Sequence, residues 1–153
     1  MTMADLKTPI VTIVIGEGGS GGALAIGMAD RMVMLENAIY SVASPEASAA
    51  ILWKDASKAQ DAAEAMRITA ADLLEFDIID TIVAETEPAH EASEQTIRAV
   101  GRALASSLQE LMAIVDQSSG LDRLMEQRYE KFRQIGAWQE TAFEKEELAA
   151  VQR

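Results

Sequence analysis

Gly16-Glu17-Gly18-Gly19-Ser20-Gly21-Gly22-Ala23-Leu24-Ala25 decides how this chain is read. Five glycines fall in the seven positions 16–22, after the apolar run Ile10-Val11-Thr12-Ile13-Val14-Ile15 and before the small-residue stretch Ala23–Ala29. A strand, a glycine turn and a helix start, in that order, aim backbone N–H groups at one point. Glycine has no Cβ, so another molecule can come close to that backbone. The free N–H groups and the helix dipole favour negative charge there. Such a site holds either a phosphate or an oxyanion that forms only during a reaction.

Working outward, residues 10–15 predict a buried strand with neighbours on both sides. Residues 21–30 predict a short helix, and 31–36 and 39–43 two further strands. Ser44-Pro45-Glu46 is a helix start, with Ser44 as cap, Pro45 in the first helical position and Glu46 complementing the dipole. That helix is expected to end near Trp53. Residues 58–66 predict another helix, and Thr69-Ala70-Ala71-Asp72 a capping box that opens a helix through Glu75. Ile78–Val83 predicts the final strand. From Glu94 to Val115 an apolar stripe of Ile97, Val100, Leu104, Leu108, Leu111 and Val115 predicts a long helix. A basic helix follows over 121–135, ended by Gly136. Residues 1–88 thus read as an α/β core, 89–136 as C-terminal helices and 137–153 as a charged tail. About four strand segments are too few for a sheet with both faces and edges covered. A partner or upstream sequence is expected to supply the rest.

Composition narrows the function. The 153 residues suffice for one domain with a core. The net charge of −12 argues against DNA or RNA as a main partner, which would require a basic footprint. A local glycine nest still binds a small anion on an acidic protein. Cysteine is absent, which excludes disulfides, thiol nucleophiles and Cys-ligated zinc. His90 is the only histidine and reads as a surface loop residue, so no metal site is expected. No apolar run reaches about 18 residues, and the first residues lack a signal peptide's pattern, so a cytoplasmic location is the expectation.

Gly16-x-Gly18-x-x-Gly21 also matches a dinucleotide fingerprint, with Glu36 placed as the ribose-binding acid. Against it, the repeat of βαβ units does not continue downstream. A nucleoside triphosphate loop is excluded, because no Gly-Lys-Ser/Thr follows the glycines. A turn that only permits tight packing is common for one or two glycines and less comfortable for five.

The run Gly16 to Gly27 resembles the glycine signature of the α subunit of bacterial acetyl-CoA carboxylase carboxyltransferase. The resemblance continues through Ala29-Asp30-Arg31, Met34-Leu35-Glu36-Asn37, Tyr40-Ser41-Val42, Ser44-Pro45-Glu46 and Ala50-Ile51-Leu52-Trp53-Lys54-Asp55. It extends over Ala62–Met66, Ile68-Thr69-Ala70, Asp72-Leu73-Leu74 and Ile78-Ile79-Asp80, and returns at Arg128–Gly136. It departs from the family pattern at Ala47-Ser48 and just before Ala89-His90.

The resemblance implies a crotonase-type (ClpP/crotonase-like) fold of stacked ββα units, here incomplete and followed by a helical C-terminal region. It implies transfer of carboxylate from carboxybiotin to acetyl-CoA, giving malonyl-CoA for fatty acid biosynthesis. Biotin would arrive on a biotin carboxyl carrier protein, none being attached to this chain. A carboxyltransferase β subunit would complete an α2β2 hetero-oligomer. The chain is expected to be the C-terminal portion of such an α subunit, inactive in isolation. Carried onto this sequence, Gly21 and Gly22 are the backbone oxyanion hole for the ureido oxygen of biotin. Gly18, Gly19, Ser20 and Glu46 are the substrate-binding residues. Lys54, Lys58, Arg123, Arg128, Lys131 and Arg133 read as solvated, and Trp53 and Trp138 as packing residues. A non-catalytic assembly piece with the same fold is the remaining alternative.

Overall fold

The computed structural model describes residues 3–136. The predicted tail at 137–153, with Trp138, lies outside the described residues. The chain runs β1 (Val11–Val14), β2 (Glu17–Gly19), α1 (Ser20–Gly27), β3 (Arg31–Leu35), β4 (Ile39–Ser41) and α2 (Pro45–Trp53). A 3-10 turn (Ala56–Lys58) leads to α3 (Ala59–Met66), α4 (Ala70–Glu75), β5 (Thr81–Val83), α5 (Ser93–Val115) and α6 (Gly120–Gln134).

Two parallel sheets form the frame, one ordered β1-β3-β5 and one pairing β2 with β4. β3 is the central strand: Val11 pairs with Arg31 on one side and Val33 with Thr81 on the other. Its residues Met32, Val33, Met34 and Leu35 are buried, as a strand between two neighbours requires. Among the described residues β1 pairs only with β3, and only Val14 of it is buried. The 17–19 strand was absent from the sequence reading, because two of its three residues are glycine and its pairing with β4 is tertiary.

The helix starts follow local chemistry. Ser44 accepts the Ala47 N–H at 3.2 Å and Pro45 opens α2. Thr69 and Asp72 form the predicted capping box at α4. α5 forms over nearly the predicted range and turns Val100 and Leu111 of the predicted stripe inward, but the buried face is rotated away from Ile97, Leu104 and Leu108. Ala99, Val100 and Ala103 pack on the core, while Ser107 and Leu111 are buried. Ile97 is left 68% exposed, and Leu104 and Leu108 remain partly exposed. Small side chains let the helix axis come close to the sheet, and the larger ones are displaced to the flanks.

α6 corrects the reading of its basic residues as a solvated face. Arg128 is buried and Lys131, one turn on, pairs with Asp80 at 2.5 Å. Asp30 accepts the Ile10 N–H at 2.7 Å, and Asp80 accepts the Met32 N–H at 2.6 Å. Each carboxylate thus satisfies a backbone donor near the start of a parallel strand, and α6 brings the cation for each. Arg123 donates to Gln117 on the loop between α5 and α6, and Arg133 is exposed. No described helix is long and apolar enough to cross a membrane.

Candidate functional site

The glycine stretch straddles two elements. Gly18 and Gly19 lie in β2, and Ser20, Gly21 and Gly22 open α1. Ser20 makes the turn between them with φ 58°, a left-handed backbone that costs an L-residue roughly 1 kcal/mol. α1 carries no side-chain cap and no acidic residue in its first turn. Its first N–H groups have no intrahelical acceptor, and the dipole adds partial positive charge there. Gly21 and Gly22 are both exposed.

The glycines divide into two sets. A Cβ built on Gly16, Gly19, Gly21 or Gly22 would meet no atom within 4 Å. Among the described glycines only Gly136 has a positive φ, so these four need neither space nor conformational freedom for the chain's own sake. Gly18 and Gly27 are different. A Cβ on Gly18 would stand 2.7 Å from the Tyr40 ring, and one on Gly27 would collide with the Tyr40 hydroxyl. Tight packing therefore explains Gly18 and Gly27 and leaves the other four unexplained.

Tyr40 lies in β4, paired directly with Gly18. Its hydroxyl donates to the Ala23 carbonyl at 2.5 Å, and the Thr12 hydroxyl donates to the Ile26 carbonyl at 2.5 Å. α1 is thus held by one hydroxyl from each sheet. Burial pushes the Tyr40 phenol above its ordinary value, so the proton it donates stays in place at neutral pH. Sequence reasoning missed both Tyr40 and Thr12. A glycine inside the α1 pattern at 27 was the available signal, since such a glycine marks close approach by something bulky.

Glu46 is exposed in the first turn of α2, which packs on the 3-10 turn and on α3. Gly18 to Gly22 are thus consecutive across the β2–α1 junction, and Glu46 stands in the first turn of α2. Lys54 ends α2 in a left-handed conformation and Lys58 closes the 3-10 turn. Trp53, expected to pack, is 41% exposed. His90 is an exposed loop residue beside Glu91. Glu36, the ribose candidate, accepts the Glu85 N–H at 2.8 Å, while Glu85 accepts the Asn37 N–H at 2.8 Å. Glu36 and Gly18, two members of the dinucleotide fingerprint, are thus engaged in the chain's own contacts.

Comparison with known proteins follows the same residues. The profile of the acetyl co-enzyme A carboxylase carboxyltransferase-like family matches residues 1–136. The acetyl-coenzyme A carboxylase carboxyl transferase subunit alpha of Listeria monocytogenes is 52% identical over 137 residues, 89% of this chain and 42% of that protein. Its counterpart in Halalkalibacterium halodurans is 53% identical over 137 residues, 89% of this chain and 41% of that protein. The chain thus spans less than half the length of these relatives. Among solved structures, the transcarboxylase 12S core superposes with a TM-score of 0.56 at 20% identity, over 72% of this chain and 22% of that one. That likeness, with the parallel sheets, identifies the fold as crotonase-like and partial. The chain belongs to the acetyl co-enzyme A carboxylase carboxyltransferase family, matching a contiguous part of its α subunit.

Proposed function

We propose that this chain forms one oxyanion hole of a biotin-dependent carboxyltransferase, with the Gly21 and Gly22 N–H groups as donors. The observation that carries the reading is the open space over Gly16, Gly19, Gly21 and Gly22. Among the described residues nothing fills the space over these glycines, and an incoming group that must reach the backbone needs such room. On this reading the incoming group is a biotin ureido oxygen on a carrier protein, which membership of the carboxyltransferase family supports. Gly18, Gly19 and Ser20 line the approach, with Glu46 assigned to substrate binding at a partner surface.

Bound carboxybiotin supplies the carboxylate and, once that has left, a basic nitrogen. The chain's own contribution is positional and electrostatic. The first turn of α1 presents preorganised donors where negative charge develops, and it does so without a titrating side chain. Exposed apolar residues on α1 (Leu24, Ile26) and α2 (Ile51, Leu52) fit burial against a β subunit. Acetyl-CoA is the proposed acceptor.

The test is malonyl-CoA formation from acetyl-CoA and carboxylated carrier, using the chain mixed with a carboxyltransferase β subunit. A full-length α subunit serves as control. Turnover is the expected result. No turnover beside an active control would reduce the chain to an assembly piece, and tight binding of a nicotinamide dinucleotide would overturn the reading.

A further inference from the structure

We infer that Tyr40 is the positioning residue of the glycine site: its ring and hydroxyl set where the first turn of α1 stands. Three independent contacts converge on this side chain. Its ring covers Gly18 across the β2–β4 pair, so closely that no side chain fits there. Its hydroxyl fills the space beside Gly27, at the other end of α1. The same hydroxyl donates to the carbonyl of Ala23, the buried residue next to Gly22. One phenol therefore touches the strand before the site, the helix turn that forms it and the helix end behind it.

α1 depends on such a support. It has eight residues, no side-chain cap, and no charged residue in its first or last turn. An isolated helix of that length is not stable in water. Tyr40 is itself anchored, because its N–H donates to the Ile68 carbonyl at 3.2 Å, just before α4. The position of the site is thus referred to β4 and the segment before α4, while the glycines supply the room and, on the oxyanion-hole reading, the N–H donors. The inference that this position matters for turnover rests on the oxyanion-hole reading. The positional part does not.

The experiment uses the full chain carrying Tyr40→Phe, Gly27→Ala, or both. Tyr40→Phe keeps the ring over Gly18 and removes the hydrogen bond. Gly27→Ala places a methyl against the hydroxyl, and the double variant takes that hydroxyl away. Amide NMR of Gly21, Gly22 and Ala23 reports the position of the turn, and thermal unfolding reports the fold. In the complex with β subunit, kcat and KM for acetyl-CoA are read separately.

Tyr40→Phe is expected to shift the Gly21 and Gly22 amide resonances. It should speed hydrogen exchange in α1 about five- to tenfold, the equivalent of one hydrogen bond. Gly27→Ala is expected to be less stable than the double variant. In the complex, kcat should fall by a similar factor with KM unchanged. Unmoved Gly21 and Gly22 resonances in Tyr40→Phe would overturn the inference, as would a Gly27→Ala variant that gains nothing from loss of the hydroxyl. If the wild-type complex shows no turnover, the oxyanion-hole reading fails, and the amide and unfolding measurements still decide the role of Tyr40.

Discussion

The Arg128 guanidinium holds the Asp30 carboxylate by two N–H···O bonds, Nε to Oδ1 and Nη2 to Oδ2, each 2.8 Å, between residues 98 positions apart. Both side chains are 2% exposed. The remaining guanidinium protons go to the Leu6 and Thr8 carbonyls at 2.8 Å and to the Ala4 carbonyl at 3.1 Å. Asp30 in turn receives the Ile10 N–H. One pair therefore joins α6, the β1 approach and the α1–β3 turn, and with them the frame on which the glycine site stands.

Breaking that pair from one side leaves an uncompensated buried charge. Arg128→Met and Asp30→Asn are each expected to cost about 3–5 kcal/mol in denaturant unfolding. Arg128→Lys should fall well short of restoring stability, since an ammonium cannot reproduce the planar two-point contact. A loss below 1 kcal/mol in either single variant would contradict this account of the fold.

The pair was not legible beforehand, and the reason is physical. Arg128 sits among Lys131 and Arg133 in a pattern that local charge rules read as a solvated face. Only the tertiary approach of α6 to the sheet tells a buried arginine from an exposed one. Signals confined to a few residues fared better. Ser44-Pro45-Glu46 and Thr69-x-x-Asp72 start helices as expected, because capping needs nothing distant. The glycine stretch was legible as a strand-to-helix turn, and its resemblance to the carboxyltransferase α subunit agreed with the family that the comparisons show. The sorting of its glycines was not, since Gly18 and Gly21 differ only in what lies above them. For α5 the apolar stripe was right at Val100 and Leu111 and misled at Ile97, Leu104 and Leu108, because Ala99, Ala103 and Ser107 are what a close helix–sheet contact selects.

Two helix glycines should respond to alanine with opposite signs. At Gly120 a Cβ would run into the Ile114 and Val115 carbonyls, so Gly120→Ala is expected to destabilise by about 1–3 kcal/mol. At Gly101, inside α5 and facing open space, Gly101→Ala is expected to stabilise by about 0.5–1 kcal/mol. Thermal unfolding of the two variants side by side measures the difference.

On the alkaline side, Tyr40 governs part of the pH dependence. Burial raises its folded-state value above that of the unfolded chain, which is about 10. The folded protein therefore keeps the phenol proton after the unfolded chain has lost it. The stability so conferred is fully present below pH about 10 and is lost as pH rises through the folded value. Unfolding midpoints followed upward through that window should fall more steeply for wild type than for Tyr40→Phe. Superimposable curves would contradict the burial of the phenol.

On the acid side the capping box of α4 matters. The Thr69 hydroxyl, and after it the Arg67 guanidinium, hold Asp72 below the usual carboxylate range. Its contribution is present above the unfolded value of about 4 and is lost as pH falls through the lower folded value. Asp72→Asn should remove this component of acid unfolding, read by circular dichroism through the same range. An unchanged acid transition would show that the box carries none of it.

The most direct measurement of the central claim compares wild type with Gly21→Val in carboxyl transfer to acetyl-CoA, with β subunit and carboxylated carrier supplied. The space over Gly21 is open, so the variant is expected to fold with an unchanged circular dichroism spectrum. Valine keeps the backbone N–H but its isopropyl group fills the space that the incoming oxygen must enter, so the account predicts a fall in kcat of about 10²–10³, comparable to disabling one oxyanion-hole donor. A folded Gly21→Val protein that turns over at the wild-type rate would contradict it.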